Sequence, residues 1–145
     1  MTKAEFLKQQ TNDAIEIFEA YGSCPPTFAI LFDDGTSESY GTSFDGLMSK
    51  DGFDLLMRKL CENPGVIAST YYCEAWYSES AANENKRPSD CNDKETIVFL
   101  IYTTRDNVEE FHLYKPDHNG RLELVDVIDE FRGRFCNPFK PEIEY

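Results

Sequence analysis

Six consecutive residues, Ile97-Val98-Phe99-Leu100-Ile101-Tyr102, leave no polar side chain for either face of a strand. Such a run is stable in water only when neighbours cover it, so residues 96–103 read as the central strand of a sheet. A second, longer strand is predicted at about 66–77 and a third at 27–32, where Phe28, Ile30 and Phe32 alternate with Ala29 and Leu31 and both faces read as buried. Asp33-Asp34-Gly35 marks a hairpin turn, because glycine accepts positive φ cheaply, and residues 37–42 return as the second arm. That turn role accounts for the two aspartates without a cation. A final hairpin pairs 110–114 with 122–127 around Pro116-Asp117-His118-Asn119-Gly120.

Thr2-Lys3-Ala4-Glu5 has the form of a capping box, in which a threonine and a glutamate three residues later satisfy amides at a helix start. The helix is predicted to run to about Tyr21 and stop at Gly22, with Leu7, Ala14, Phe18 and Tyr21 on one stripe and Ile17 beside it. Lys8, Asp13, Glu16 and Glu19 favour its wet side. After a connection at 43–50, Phe53, Leu56, Met57 and Leu60 fall at i, i+3, i+4 and i+7, which predicts a second helix from Asp51, ended by Asn63-Pro64-Gly65. Phe131, Phe135 and Phe139 suggest a short docked helix in the tail, with fraying over 137–145 after the prolines. The expected fold is therefore α+β, a single domain over 1–145. A mostly antiparallel sheet of about six strands carries two main helices on one face, in the order α-β-β-α-β-β-β-β.

Eleven phenylalanines, eight tyrosines and one tryptophan in 145 residues supply enough apolar surface to offset the entropy of ordering the chain. The 27 acidic against 14 basic residues, a net charge of −13, disfavour direct binding to nucleic acid or to an anionic membrane, where affinity comes from Lys and Arg. No run approaches the roughly 18 apolar residues of a membrane span, and the N-terminal region lacks signal-peptide character. A cytoplasmic location follows as the expectation. Cys24, Cys61, Cys73, Cys91 and Cys136 are odd in number and widely spaced, with no C-x-x-C pair, so reduced thiols fit best. Cys73 reads as packed in its strand and Cys91 as exposed in a loop. With His112 and His118 far apart, no metal site and no cofactor is implied.

The stretch from Val66 to Arg105 holds the best candidate site, because Glu74 and the single tryptophan, Trp76, lie inside a strand. Period-two geometry puts Tyr72, Glu74 and Trp76 on one face. A carboxylate between aromatic rings, with Lys94, Arg105 or His112 brought across from neighbouring strands, would form a polar cluster able to bind or to exchange a proton. An ion-paired glutamate on a solvated face explains the same pattern. The polar loop at 78–94, with Arg87, is longer than an ordinary hairpin connection and is a natural place for a partner. Phosphate loops, nucleophile elbows and H-E-x-x-H pairs do not occur, which leaves little for an enzyme to work with.

The chain also resembles an uncharacterised family of small microbial and phage-associated proteins that carry a Ser-Glu-Ala-Trp-type strand, a proline-containing charged loop, then Arg-Glu and a hydrophobic strand. The matching positions are Glu74, Ala75, Trp76, Pro88, Lys94 and Glu95, with Cys73 in place of the serine and Lys94 in place of the arginine. The resemblance spans about 28–127 and implies a fold rather than an activity. Acidity, exposed aromatics and the loop together point to a non-enzymatic protein that binds another protein, with inhibition of a host nucleic-acid-binding or defence protein as the phage-type version. In that version it would act in the host cytoplasm. The alternative is a small-molecule pocket around Tyr72, Glu74 and Trp76. Homo-oligomerisation is left open by the sequence.

Overall fold

A computed structural model describes residues 1–41, 47–78, 80–81, 86–128 and 137–140. Among these residues the fold is α+β, with two α-helices and a six-stranded antiparallel sheet in the expected order. Helix α1 spans Lys3–Tyr21, β1 Thr27–Phe32, β2 Ser37–Gly41, α2 Leu47–Cys61, β3 Val66–Tyr77, β4 Glu95–Thr104, β5 Glu109–Pro116 and β6 Leu122–Ile128. The strands lie in the order β2-β1-β3-β4-β5-β6, which makes β3 and β4 central. Ten residue pairs join them, from Ala68 opposite Thr104 to Tyr77 opposite Glu95.

Local chemistry sets the element ends. The Thr2 side chain accepts from the Glu5 amide at 3.1 Å while Glu5 accepts from the Thr2 amide at 3.0 Å, completing the capping box. Gly22 closes α1 at φ 71°, its amide donating to the Phe18 carbonyl at 2.7 Å. In the β1–β2 turn, the Asp34 carboxylate accepts from the Thr36 amide at 2.9 Å and Gly35 takes φ 86°. Helix α2 begins at Leu47, ahead of the expected Asp51. The tail residues Phe131 and Phe135, residues 43–46 of the expected connection, Cys136 and residues 141–145 of the expected frayed tail lie outside the described residues, while 47–50 belong to α2.

The helices do not share a face, contrary to the expectation. Phe6, Ala14 and Phe18 of α1 pack with Ala29, Leu31, Ala68, Tyr72, Val98, Leu100, Tyr102 and Tyr114. Phe53, Met57 and Cys61 of α2 pack with Phe28, Ile30, Tyr71, Ile97, Ile101, Phe111 and Leu113. Consecutive strand residues thus fall in different clusters, so the sheet is the middle layer of three. Continuous apolar strands such as β1 and β4 require this, because a single helical layer would leave half of their side chains in water. Aromatic rings dominate the α2 side, where Phe53 meets Phe28 edge-on at 6.4 Å and Phe99 stacks on Phe111 at 5.6 Å.

The buried stripe of α1 also differs from the expected one. It consists of Phe6, Gln10, Ala14 and Phe18, a strict i, i+4 row, whereas Tyr21 is exposed. Gln10 breaks the apolar pattern, and its Oε1 and the Thr70 Oγ1 are buried without a hydrogen-bond partner among the described residues. Two unsatisfied acceptors under one helix each carry a desolvation cost of about 1–3 kcal/mol. Gln10→Leu is therefore expected to raise stability by about 1 kcal/mol in a urea titration, and a loss of similar size would show that the amide holds a partner in solution.

Candidate functional site

Strand β1 pairs with β3 only as far as Thr27 opposite Tyr72, so the last residues of β3 continue with β4 as a projecting ribbon. Exposure follows from that geometry. Tyr72, still covered by α1, is 3% exposed, while Trp76, four residues on along the same face, is 50% exposed. Tyr72 thus belongs to the core and offers no surface to a ligand, which removes one wall of the pocket suggested by the sequence.

Glu74 sits between them, half-buried. Its amide donates to the Cys24 carbonyl at 3.0 Å and its Oε1 accepts from the Cys24 amide at 3.3 Å. The carboxylate therefore replaces a ladder partner where Pro25 and Pro26 interrupt β1, a structural task. None of the three cations expected to join it does so. Lys94 lies over the Trp76 ring at 5.1 Å and donates to the Ser89 carbonyl at 3.2 Å. His112 pairs with Glu110 at 3.0 Å on β5, two strands away. Arg105 is at the opposite end of β3, donating to the carbonyls of Val66 at 2.8 Å, Cys61 at 2.6 Å and Asn63 at 2.8 Å. The predicted cluster around Glu74 is thus dispersed, because sequence gives the face of a strand residue but not the position of its neighbours along the sheet.

What the structure does bring together is the ribbon end. Lys94 caps Trp76 on the α1 side, and on the other side Lys115 lies 4.9 Å from the Tyr77 ring and 3.0 Å from Glu95. The loop base is tied down by Asp93, which accepts from the Ser78 hydroxyl and from the Ser80 amide at 3.2 Å and hydroxyl at 2.9 Å. These bonds hold the Asp93 carboxyl below its usual range. A short 3-10 turn at Pro88–Asp90 follows exposed Lys86 and Arg87. Asp93 was not singled out in the sequence; its place beside Lys94 at the foot of a Ser-containing excursion is the signal that could have found it.

Among the described residues no group of three or more His, Cys, Asp or Glu side chains is placed to hold a metal ion, and no helix is long and apolar enough to cross a membrane. A cavity of about 10 Å³ lies on the α2 face, lined by Asp54, Ser69, Tyr71, Thr103 and Asn137 among others, with room for about one water. Cys91 is buried rather than exposed. Burial pushes the thiols of Cys24 and Cys61 up to about 12 and that of Cys73 up to about 11, from an ordinary value of 9.0. A folded-state value above the unfolded one means stability that is whole below about pH 9 and lost as pH rises toward 12. The urea midpoint is expected to fall across that window, and replacing Cys24 and Cys61 by alanine should flatten the decline. Searches against protein-family models, curated proteins and solved structures gave no match.

Proposed function

We propose that the chain is a non-enzymatic protein-binding module whose anchor is Trp76. The observation that carries this reading is the half-exposed indole at the end of a ribbon whose base is held by Asp93 through Ser78 and Ser80. Tryptophan is the residue that most often concentrates binding energy at interfaces, and a pre-ordered support lowers the entropy cost of using it. The partner offers an apolar slot to the indole and basic groups to the surrounding chain of net charge −13. In the narrower form of this reading the partner is a nucleic-acid-binding or defence protein whose basic groove is covered by the acidic surface, as the resemblance to phage-associated proteins suggests. The chain then acts in the same cytoplasm as that partner.

The test compares tagged wild type with Trp76→Ala in pull-downs from a host-type lysate at low and high salt. Trp76→Ala is expected to leave the urea midpoint nearly unchanged, a loss of about 1 kcal/mol at most, because half of the ring already meets water. It is expected to release a salt-sensitive partner that the wild type retains. Equal retention by both proteins would remove Trp76 from the reading, and an absence of any partner at low salt would remove the reading itself.

A further inference from the structure

We propose that the outer edge of β6 receives an extended segment of a partner protein in which basic and apolar residues alternate. This surface lies on a different strand from Trp76 and does not involve that residue.

The sheet ends at β2 on one side and at β6 on the other. The two edges are built differently. Strand β2, Ser37–Gly41, is short and polar, with the charged Glu38 and a single large apolar residue, Tyr40, which is the usual protection of an edge against unwanted pairing. Strand β6 is seven residues long and leaves Leu124, Val125 and Val127 exposed by 53%, 52% and 45%. Three exposed branched side chains on an edge strand that has no outer partner among the described residues form an apolar stripe of the kind that marks an interaction site.

Charge determines which segment fits. Glu123 and Asp126, opposite Lys115 and Leu113, lie on the α2 face of β6, whereas Leu124 and Val127, opposite Tyr114 and His112, lie on the α1 face; neither carboxylate makes an ion pair or side-chain hydrogen bond among the described residues. The nearest lysine on β5, Lys115, is directed to Glu95 and Tyr77. Carboxylates on one face of the edge strand and apolar side chains on the other complement an added strand whose alternate residues are Lys or Arg on one face and Val, Ile or Leu on the other. A second copy of this chain would bring the same carboxylates together on top of a net charge of −13 on each molecule, so self-pairing is disfavoured.

Geometry limits where the segment lies. The Leu122 amide is already taken by Glu19 Oε1 at 3.3 Å, which closes the first position of the edge. Val125 is the extra residue of a bulge, since Leu124 faces Tyr114 while Asp126 faces Leu113. A bulge shortens any added ladder, so side-chain contacts with Leu124, Val125 and Val127 supply much of the selectivity. After β6 the chain is next described at Asn137, whose side chain donates to Glu109 on β5 at 2.7 Å.

The test uses the full chain and a fluorescein-labelled peptide of alternating lysine and valine, read by anisotropy and by amide hydrogen exchange. Saturable binding is expected, with slowed exchange of the β6 amides. Leu124→Lys and Asp126→Lys are each expected to weaken it by roughly tenfold or more. Both sites are exposed, and an unchanged thermal melt verifies the fold. Trp76→Ala is expected to bind the peptide like wild type, which separates this site from the one above. Four results would overturn the proposal: no saturable binding, equal binding by the β6 variants, equal affinity for a lysine–serine peptide, or self-association of the free chain that protects β6.

Discussion

Phe28→Ala is expected to lower the free energy of unfolding by about 3–5 kcal/mol, the range for emptying a large aromatic site in a packed core. The side chain is fully buried on the α2 face of β1, edge-on to Phe53, and lines the small cavity near Ser69 and Thr103. The cavity left behind would merge with that existing void, and the surrounding rings have little freedom to collapse into it. A urea titration measures the loss, with Leu124→Ala as the surface control expected to stay within about 0.5 kcal/mol of wild type. A cost below about 1 kcal/mol for Phe28→Ala would mean that the α2 layer is not packed as described.

Arg105→Lys is expected to cost about 2 kcal/mol even though the charge is kept. The guanidinium donates to three carbonyls at once, two of them at the end of α2 and the loop after it, and also lies 5.0 Å from the Phe139 ring. It satisfies the Cys61 carbonyl at the end of the helix and places a cation where the helix dipole favours one. A lysine ammonium cannot reach three divergent acceptors from one point. The urea midpoint reports the loss, and amide exchange should quicken in the last turn of α2. Wild-type stability in Arg105→Lys would show that charge alone matters there.

Much of the fold is legible in the residues. The capping box, the Asp-Gly turn and the uninterrupted apolar strands all specify their own conformations locally, and each element is found where those signals lie. The alternation of Phe28 and Ile30 with Ala29 and Leu31 also contained the two-sided covering of the sheet, because a strand apolar on both faces needs two layers. Reading the helices onto one face ignored that requirement. Gln10 concealed the true stripe of α1, since a polar residue at i, i+4 from Phe6 shifts the apparent apolar face toward Leu7 and Tyr21. At the candidate site, the common face of Tyr72 and Trp76 follows from period two, but their opposite exposures depend on where β1 and α1 end against β3, a tertiary fact. Arg105 lay beyond reach for the same reason: its acceptors are backbone atoms of a distant loop and leave no trace in side-chain pattern.

The strand order has a consequence for how the chain leaves the ribosome. From β4 onward each strand pairs with the one made just before it, so β4, β5 and β6 meet a partner as they emerge. Helix α1 and the β1–β2 hairpin are made first, yet the surface they cover belongs to β3 and β4, which come later. During synthesis the N-terminal third therefore holds Phe6, Phe18, Phe28 and Ile30 without the layers that bury them. That interval is when the nascent chain is most open to chaperone capture or misassociation, and it closes only when β4 has cleared the exit tunnel.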